Sequence, residues 1–217
     1  DGFGDLVLSG VCTTTGSNVR IILYSSLGTF IVSEPQLTKT SQPMPYTKTE
    51  ATPVTVSPDV CSIPAMNNLP APGKPFTIVV DVIYRAVTEN TAFFSISPTS
   101  PDSRLSLVST GTNNTYFQVS DGTGAVRAGF NLAVAGGIND GERVRLVCRY
   151  DGSAISLHYN GTLAQSTALS KISYSNESNI FLGSLDGSQW HLDSEIKNFK
   201  IYHSALSQYQ ISSLGAL

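Results

Sequence analysis

The sequence has little charge of either sign. Its 217 residues include 13 Lys and Arg against 16 Asp and Glu, so charged residues make up 13% of the chain, whereas an average soluble domain has about 25%. A formal net charge of −3 gives no basic footprint, and we expect no nucleic-acid partner. No apolar run approaches the roughly 20 residues of a membrane-spanning helix, so we expect no membrane insertion.

Cysteine is also scarce, with three residues in all. Cys148 is in phase with the apolar face of a predicted strand, which favours a buried free thiol. Whether Cys12 and Cys61 pair stays open. The absence of a Cys-x-x-Cys or Cys/His cluster argues against a zinc site. A chain of this length buries about 70% of its extended surface and needs neither a disulfide nor a metal to form a core.

Strand patterns dominate what is present. Residues 142–150 alternate between apolar and arginine-rich faces, as the side-chain period of a strand requires. Asp151-Gly152 and Asn160-Gly161 are tight-turn sequences, and strands are predicted on either side of the second turn, at 153–159 and 162–165. We therefore expect a three-strand antiparallel meander.

An earlier strand, 76–84, is apolar on both faces except at Asp81, and this pattern indicates a strand that is covered on both sides. Short strands separated by Pro, Gly, Asn and Asp follow it at 91–97, 104–109, 115–119 and 125–130. Regular short strands of this kind predict an all-β fold, a two-sheet antiparallel jelly-roll sandwich.

The two ends of the chain depart from this pattern. Ser207 and Gln210 form a capping box, and Gly215 can end the short helical turn that follows. We expect the apolar side of this turn to plug the open rim of the sandwich. Residues 1–45 are strands of the sandwich, a small separate module or a linking segment, and 46–217 form the main domain. The chain begins at Asp1 without Met, which favours a processed product or an excised domain.

A series of motifs in the last third of the chain resembles one known family. In order they are RYDG (149–152), ISLHYNGTL (155–163), IFLGS (180–184), EIKNFKIYHSALS (195–207) and QI (210–211). This series is similar to the laminin-G-like, concanavalin A-like jelly roll, the superfamily of legume lectins and pentraxins. The resemblance covers about residues 50–217 and implies the same sandwich, with calcium as a ligand that relatives often hold through loop Asp and Asn oxygens.

The closing strand carries the most specific part of the resemblance. The matching residues are Ile196, Phe199, Ile201, Tyr202, Ala205, Leu206, Ser207 and Ile211. Lys197 and Ser204 replace an Asp and an Arg that are usual in the family, so a frequent ion pair is absent. That loss does not threaten the fold, because exposed pairs contribute about 0–1 kcal/mol. The motifs are structural and carry no chemistry.

Two loops are candidate ligand-binding sites, because sugars favour an aromatic platform beside amides and carboxylates. One loop holds the single tryptophan, and the other holds two amides beside a tyrosine. The candidates are Asp186, Gln189, Trp190, His191 and Asp193 in the first loop, and Asn113, Asn114 and Tyr116 in the second. Alternatively, Trp190 seals the rim of the core and the Asn pair forms a plain turn. Asp121, Asp140 and Asp186 are isolated acids, and only Asp121 and Asp186 are kept as weak metal candidates.

Catalytic patterns are weak. Asp193 and Glu195 are spaced as on one strand face, but Lys197 and Phe199 stand where the family's glucanases would carry a further carboxylate. The three histidines lack any adjacent nucleophile motif, and we expect each to lie at the surface. They are His158, His191 and His203.

We therefore expect a non-enzymatic recognition module that binds carbohydrate or a cell-surface ligand, in a secreted, cell-surface or virion protein. A receptor-binding domain of a phage or viral surface protein fits the low charge and the free cysteines. The alternative is a structural assembly or decoration domain that packs on copies of itself or on other virion proteins. A polysaccharide-degrading enzyme is the third class.

Overall fold

Alternating apolar and polar residues build the described part of the chain almost entirely from strands. The computed structural model describes residues 60–84, 90–96, 104–110, 114–131, 141–174 and 179–215, which lie within one compact unit, Pro58–Leu217. Its elements are β1 (Cys61–Pro64), β2 (Phe76–Ile83), β3 (Thr91–Ile96), β4 (Leu105–Ser109), β5 (Asn114–Ser120), β6 (Ala125–Asn131), β7 (Arg143–Tyr150), β8 (Ala154–Tyr159), β9 (Thr162–Ala168), β10 (Asn179–Leu182), β11 (Ile196–Tyr202) and the helix α1 (Gln208–Leu214).

Several expectations fall outside these residues. Cys12, Asn113 and Asp140 are not among the described residues, nor is the segment 1–45. The division of the chain into 1–45 and 46–217 therefore stays a prediction.

The strands form two sheets. One has six strands in the order β1-β10-β3-β4-β5-β6, and the other has five in the order β11-β2-β7-β8-β9. Every neighbouring pair of these described strands is antiparallel. This confirms the predicted all-β sandwich, and the adjacency of β7, β8 and β9 confirms the meander. At its second turn Asn160 and Gly161 both have positive φ, 44° and 83°.

The core lies between the sheets and is filled by alternate residues of each strand. Phe76 stands at one end of it, with ring centroids 6.4 Å from Phe117, 6.0 Å from Tyr150 and 6.2 Å from Tyr174. On the β6/β9 side the sheets are hydrogen-bonded, since Gln165 Oε1 accepts from the Gly129 backbone N–H at 2.6 Å. Among the described strands, β1 and β11 are the outermost on the opposite side.

Helix α1 has the predicted capping box. Ser207 Oγ accepts from the Gln210 backbone N–H at 3.2 Å, and the Gln210 side chain accepts from the Ser207 N–H at 2.8 Å. The expectation that this helix plugs the open rim of the sandwich is wrong. Ile211 packs with Val79 of β2 and Val147 of β7, which point away from the core. α1 therefore covers the outer face of the five-stranded sheet, and this explains why β2 is buried on both sides.

Asp81 is a charged residue of β2 on that same outer face, and it is 1% exposed. Arg145 Nε and Nη2 donate to its two oxygens at 2.7 and 2.9 Å, and Asn198 Nδ2 donates at 3.3 Å. Burial alone would raise the pKa of Asp81, but these hydrogen bonds and the positive charges of Arg145 and Arg143 hold it below the ordinary value. Arg145 also donates to the backbone carbonyl of Leu214, which ties the ion cluster to the end of α1.

One histidine expectation is wrong. We expect His158 at the surface, but it is only 3% exposed. Burial, with a smaller effect of Arg149, lowers the pKa of His158 to about 4. Cys148 is a buried free thiol, as predicted, whereas Cys61 is free and exposed.

Candidate functional site

The loop between β10 and β11 folds over one end of the six-stranded sheet. Residues 183–192, here named the rim loop, are stabilised from within by Asp186. Its Oδ1 accepts from the backbone N–H groups of Ser188 at 2.8 Å and Gln189 at 2.9 Å, while Gln189 Nε2 donates to Oδ2 at 3.1 Å. The hydrogen bonds from Ser188 are the main reason that the pKa of Asp186 is lowered. These two candidate residues thus shape the loop.

Trp190 fixes the rim loop to the sheet. Its carbonyl accepts from the Ala92 N–H of β3 at 2.9 Å, and its φ of 53° is uncommon for a residue other than glycine. The indole packs against a small cluster of Ala92, Val108 and Leu185 and stays half-buried. This cluster lies on the outer face of the six-stranded sheet, so Trp190 does not seal the core between the sheets.

Tyr116 packs against that same cluster from β5. A side chain at Gly129 of β6 would lie 2.2 Å from the Tyr116 ring, so the glycine allows the ring to rest on the neighbouring strand. The Arg127 guanidinium carbon lies 5.4 Å from the ring centroid, in a cation–π arrangement. The structure therefore brings together Trp190 and Tyr116, two aromatic candidates that are distant in the sequence.

A row of polar residues crosses the same outer face next to these aromatics. The strand register places Ser95 opposite Ser106, Ser106 opposite Gln118, and Gln118 opposite Arg127. Gln118 Nε2 donates to Ser106 Oγ at 2.9 Å. Ser95 Oγ is buried and has no hydrogen-bond partner. Sequence reasoning missed this row, although each member alternates with a residue of the core.

The other described candidates form no part of the polar row. Asp193 is exposed, and His191 is half-buried with a buried Nδ1 that has no hydrogen-bond partner. Asn114 opens β5, where its carbonyl accepts from the Thr110 N–H at 2.9 Å. Glu195, the weak catalytic candidate, forms an ion pair with Lys197.

Both weak metal candidates hold turns. Asp121 Oδ1 accepts from the Thr123 N–H and hydroxyl, each at 2.7 Å, and from the Gly124 N–H at 3.1 Å. The hydroxyl of Thr123 is the main cause of the lowered pKa of Asp121. Asp186 binds its own loop in the same way. Within the described ranges, no group of three or more His, Cys, Asp and Glu side chains is placed to hold a metal ion.

A small recess of about 220 Å³ lies between the edge strands β1 and β11. Its apolar walls include Phe199 and Ile201, and Asn67, Asn68 and His203 form a polar rim. His203 Nε2 lies 3.2 Å from the Asn68 carbonyl oxygen. The recess is smaller than a typical ligand pocket of about 300–1,000 Å³, and the outer face of the six-stranded sheet is the stronger candidate.

A family model described as the concanavalin A-like lectin/glucanases superfamily matches residues 57–212. No curated protein matches the chain. No helix among the described residues is long and apolar enough to cross a membrane.

Solved structures with the same fold include carbohydrate-binding domains. The CBM40 of a Ruminococcus gnavus sialidase, bound to α2,3-sialyllactose, matches with a TM-score of 0.55 and 13% identity over 66% of this chain and 83% of that one. Domain 4 of a Geobacillus stearothermophilus arabinanase, in complex with arabinotriose, matches with a TM-score of 0.53 and 20% identity over 68% of this chain and 69% of that one. The binding domain of a botulinum neurotoxin, in complex with rat synaptotagmin II, matches with a TM-score of 0.52 and 14% identity over 65% of this chain and 35% of that one.

Proposed function

Because the chain belongs to the concanavalin A-like lectin/glucanases superfamily, we propose that it is a non-enzymatic recognition domain that binds glycans. The binding surface is the outer face of the six-stranded sheet, around Trp190 and Tyr116. The observation that carries this proposal is that both aromatic side chains pack on one cluster and stay half-buried, next to the exposed side chains of Arg127 and Gln189. An apolar sugar face can stack on such a platform while these exposed polar groups bind its hydroxyls.

The location of the helix supports this choice of face. α1 occupies the outer surface of the five-stranded sheet, where Ile211 and Leu206 are buried against it. Among the described outer residues of β3 to β6, Arg127 is exposed and Tyr116 is half-buried, whereas Ser106 and Gln118 are buried. Two similar structures contain a bound oligosaccharide and a third contains a protein receptor, which favours a glycan first and a protein receptor second.

A glycan array tests the proposal with wild type, Trp190→Ala and Tyr116→Ala. Removing a central aromatic anchor typically costs more than about 1 kcal/mol of binding energy, so we expect affinity to fall at least about fivefold in each variant. Tyr209→Ala is the matched control, since Tyr209 is 82% exposed on α1 at the opposite sheet. An array with no bound glycan, or binding that is equal in all four proteins, would refute the proposal.

We infer further that the domain lies outside the cell, on a cell surface or on a virion, as the receptor-binding part of a phage or viral surface protein. The low charge supports that setting. Hydrolysis of a bound polysaccharide that disappears in Glu195→Gln would replace the non-enzymatic reading with the enzyme alternative.

An assembly domain is the second candidate, favoured by exposed apolar residues beside edge strand β1. Val60 is 57% exposed and Met66 is 56% exposed, on either side of that strand. An edge strand flanked by such residues can pair with another copy of the chain. Light scattering tests this function: oligomers that dissociate in Val60→Asp would support it, and a monomer at all concentrations would exclude self-assembly.

A further inference from the structure

A buried histidine lies under the C-terminal helix, on the outer face of the five-stranded sheet. The strand register places His158 between Val147 of β7 and Leu163 of β9. Its side chain is 3% exposed, Nε2 lies 3.0 Å from Ser156 Oγ, and Nδ1 is buried without a hydrogen-bond partner. Because a protonated imidazole donates from both nitrogens, the Nδ1 proton would find no acceptor, and this site favours the neutral ring.

The charges around His158 oppose its protonation. The charged residues of this face are Arg143, Arg145 and Arg149 of β7, Lys200 of β11, Asp81 of β2, which binds Arg145, and Asp151, which binds Arg149. The sequences of β9 and α1 contain no acidic or basic residue. Burial, with a smaller effect of Arg149, lowers the pKa of His158 to about 4, so the closed protein excludes the charged form.

The position of α1 accounts for this burial. Ile211 packs on Val147, the register neighbour of His158. A side chain at Gly161, three residues after His158, would lie 3.2 Å from the Cα of Ser212. The imidazole stands between these two contacts, and α1 therefore lies over it on the side away from the core.

α1 is attached by contacts that can break together. Besides Ile211, the described ones are hydrogen bonds from Gln208 Nε2 and Ser212 Oγ to the Gly161 carbonyl, at 3.0 and 3.2 Å, and one from Arg145 to the Leu214 carbonyl. Seven residues are too few for a helix that is stable alone. When α1 leaves the sheet, its helical structure is therefore lost as well.

The chain before α1 is anchored separately. Thr77 Oγ1 donates to the Ser204 carbonyl at 3.0 Å and accepts from the Leu206 N–H at 2.9 Å. Leu206 is itself buried against the sheet. These contacts keep β11 and the following turn in place, so a detaching helix pivots at its N-cap, Ser207.

We propose that α1 is an acid-released latch, which protonation of His158 lifts from the sheet while the sandwich stays folded. Release brings the charged imidazole into water and exposes Val79 and Val147. A pKa of about 4 in the closed state and about 6.5 in the open state means that the closed state loses stability as the pH falls below about 6.5. The pKa values of Asp81 and Asp151 are lowered, so both stay ionised at pH 5.

Amide hydrogen exchange of the full chain at pH 7 and pH 5, expressed as protection factors, tests the latch. From the two pKa values, we expect the protection of the α1 amides to fall about twentyfold in wild type. In His158→Gln, which keeps a hydrogen-bonding side chain without a titrating group, it should stay constant. His203→Gln is the matched control, because His203 is exposed, and it should behave as wild type.

A low urea concentration distinguishes release of α1 from global unfolding. A local opening exposes little surface, so exchange in α1 should hardly respond to urea, whereas exchange in β4 should accelerate. Equal urea dependence of α1 and β4 would overturn the latch, as would an α1 protection that falls equally in wild type and His158→Gln or does not change in wild type.

An NMR titration of wild type keeps the test decisive if circular dichroism shows that His158→Gln does not fold. The imidazole resonances of His158 and the amide shifts of α1 should change over one pH range, while the β4 amides stay unchanged. Titration of His158 without any change in α1 would refute the proposal. Neither measurement depends on glycan binding at the opposite sheet.

Discussion

Acid should destabilise this domain through the buried carboxylate of Asp81. Asp81 is 1% exposed and receives two hydrogen bonds from Arg145, at 2.7 and 2.9 Å, with Arg143 Nη2 at 3.3 Å. Asp81→Asn keeps the shape of the side chain but leaves Arg145, which is only 14% exposed, without its counter-ion. Breaking a buried pair in this way costs about 3–5 kcal/mol.

The expected loss can be measured by thermal and urea unfolding. For a domain of this size, 1 kcal/mol corresponds to about 2–4 °C in Tm, so Asp81→Asn should lower Tm by about 6 °C or more at neutral pH. Asp193→Asn removes the same charge from an exposed site and should change Tm by less than about 2 °C.

The pH dependence gives a second readout. The pKa of Asp81 is lowered in the folded state, and in the unfolded chain it is about 3.9. The ionised carboxylate therefore stabilises the fold fully above about pH 4, and this contribution disappears as the pH falls through the lower folded-state pKa. The free energy of unfolding of Asp81→Asn should lack this acid-dependent contribution. A loss below about 1 kcal/mol, or identical acid unfolding of wild type and variant, would refute the reasoning.

Three further predictions follow from single residues. Burial lowers the pKa of His158 to about 4, against about 6.5 in the unfolded chain, so the free energy of unfolding should fall by up to about 3 kcal/mol as the pH drops between these values. In His158→Gln the urea midpoint should depend less on pH over that range. A pH dependence equal to that of wild type would contradict the prediction. Gly129→Ala should displace the Tyr116 ring and crowd the Thr115 carbonyl oxygen, which would lie 2.6 Å from the new Cβ, so it should cost at least about 1–3 kcal/mol. The change should be visible as altered near-UV circular dichroism, whereas Gly124→Ala meets nothing within 4 Å and should be silent. Ser207→Ala should cost about 1 kcal/mol and speed amide exchange in α1 more than elsewhere, and uniform exchange would argue against its role as a cap.

The strands were predictable because their signals are local. Residues 142–150 alternate strictly, and Asp151-Gly152 and Asn160-Gly161 are turn sequences wherever they occur. The capping box at Ser207 is equally local, since its two hydrogen bonds join residues three apart. The location of α1 was not predictable, because the sequence of a strand does not show which other element covers its outer face.

His158 shows the same limit. Its alternation with apolar residues separates it from their face of β8, and the structure places it on the outward face, opposite Val147. Whether that face meets solvent depends on the packing of other elements, and His158 proved to be 3% exposed. Periodicity therefore determines the direction of a side chain, whereas burial is a tertiary property.

The candidate site divides in a similar way. Composition alone singled out Trp190 and Tyr116, because aromatic residues beside polar ones are recognisable in a sequence. Their common cluster follows from β10 pairing with β3, and from the β3-β4-β5 register that aligns Ala92, Val108 and Tyr116. The same register assembled Ser95 and Gln118 into a row that no single segment of the sequence reveals.

The sequence by itself thus determined the strand pattern, the tight turns, the helix cap and membership of a two-sheet antiparallel fold, since each depends on residues close together in the chain. Only the tertiary structure decided which sheet the helix covers, why Asp81 is buried with Arg145, and which aromatic and polar side chains share one face. The physical reason is that strand order and register bring distant residues within contact distance, and neither is encoded in a local repeat.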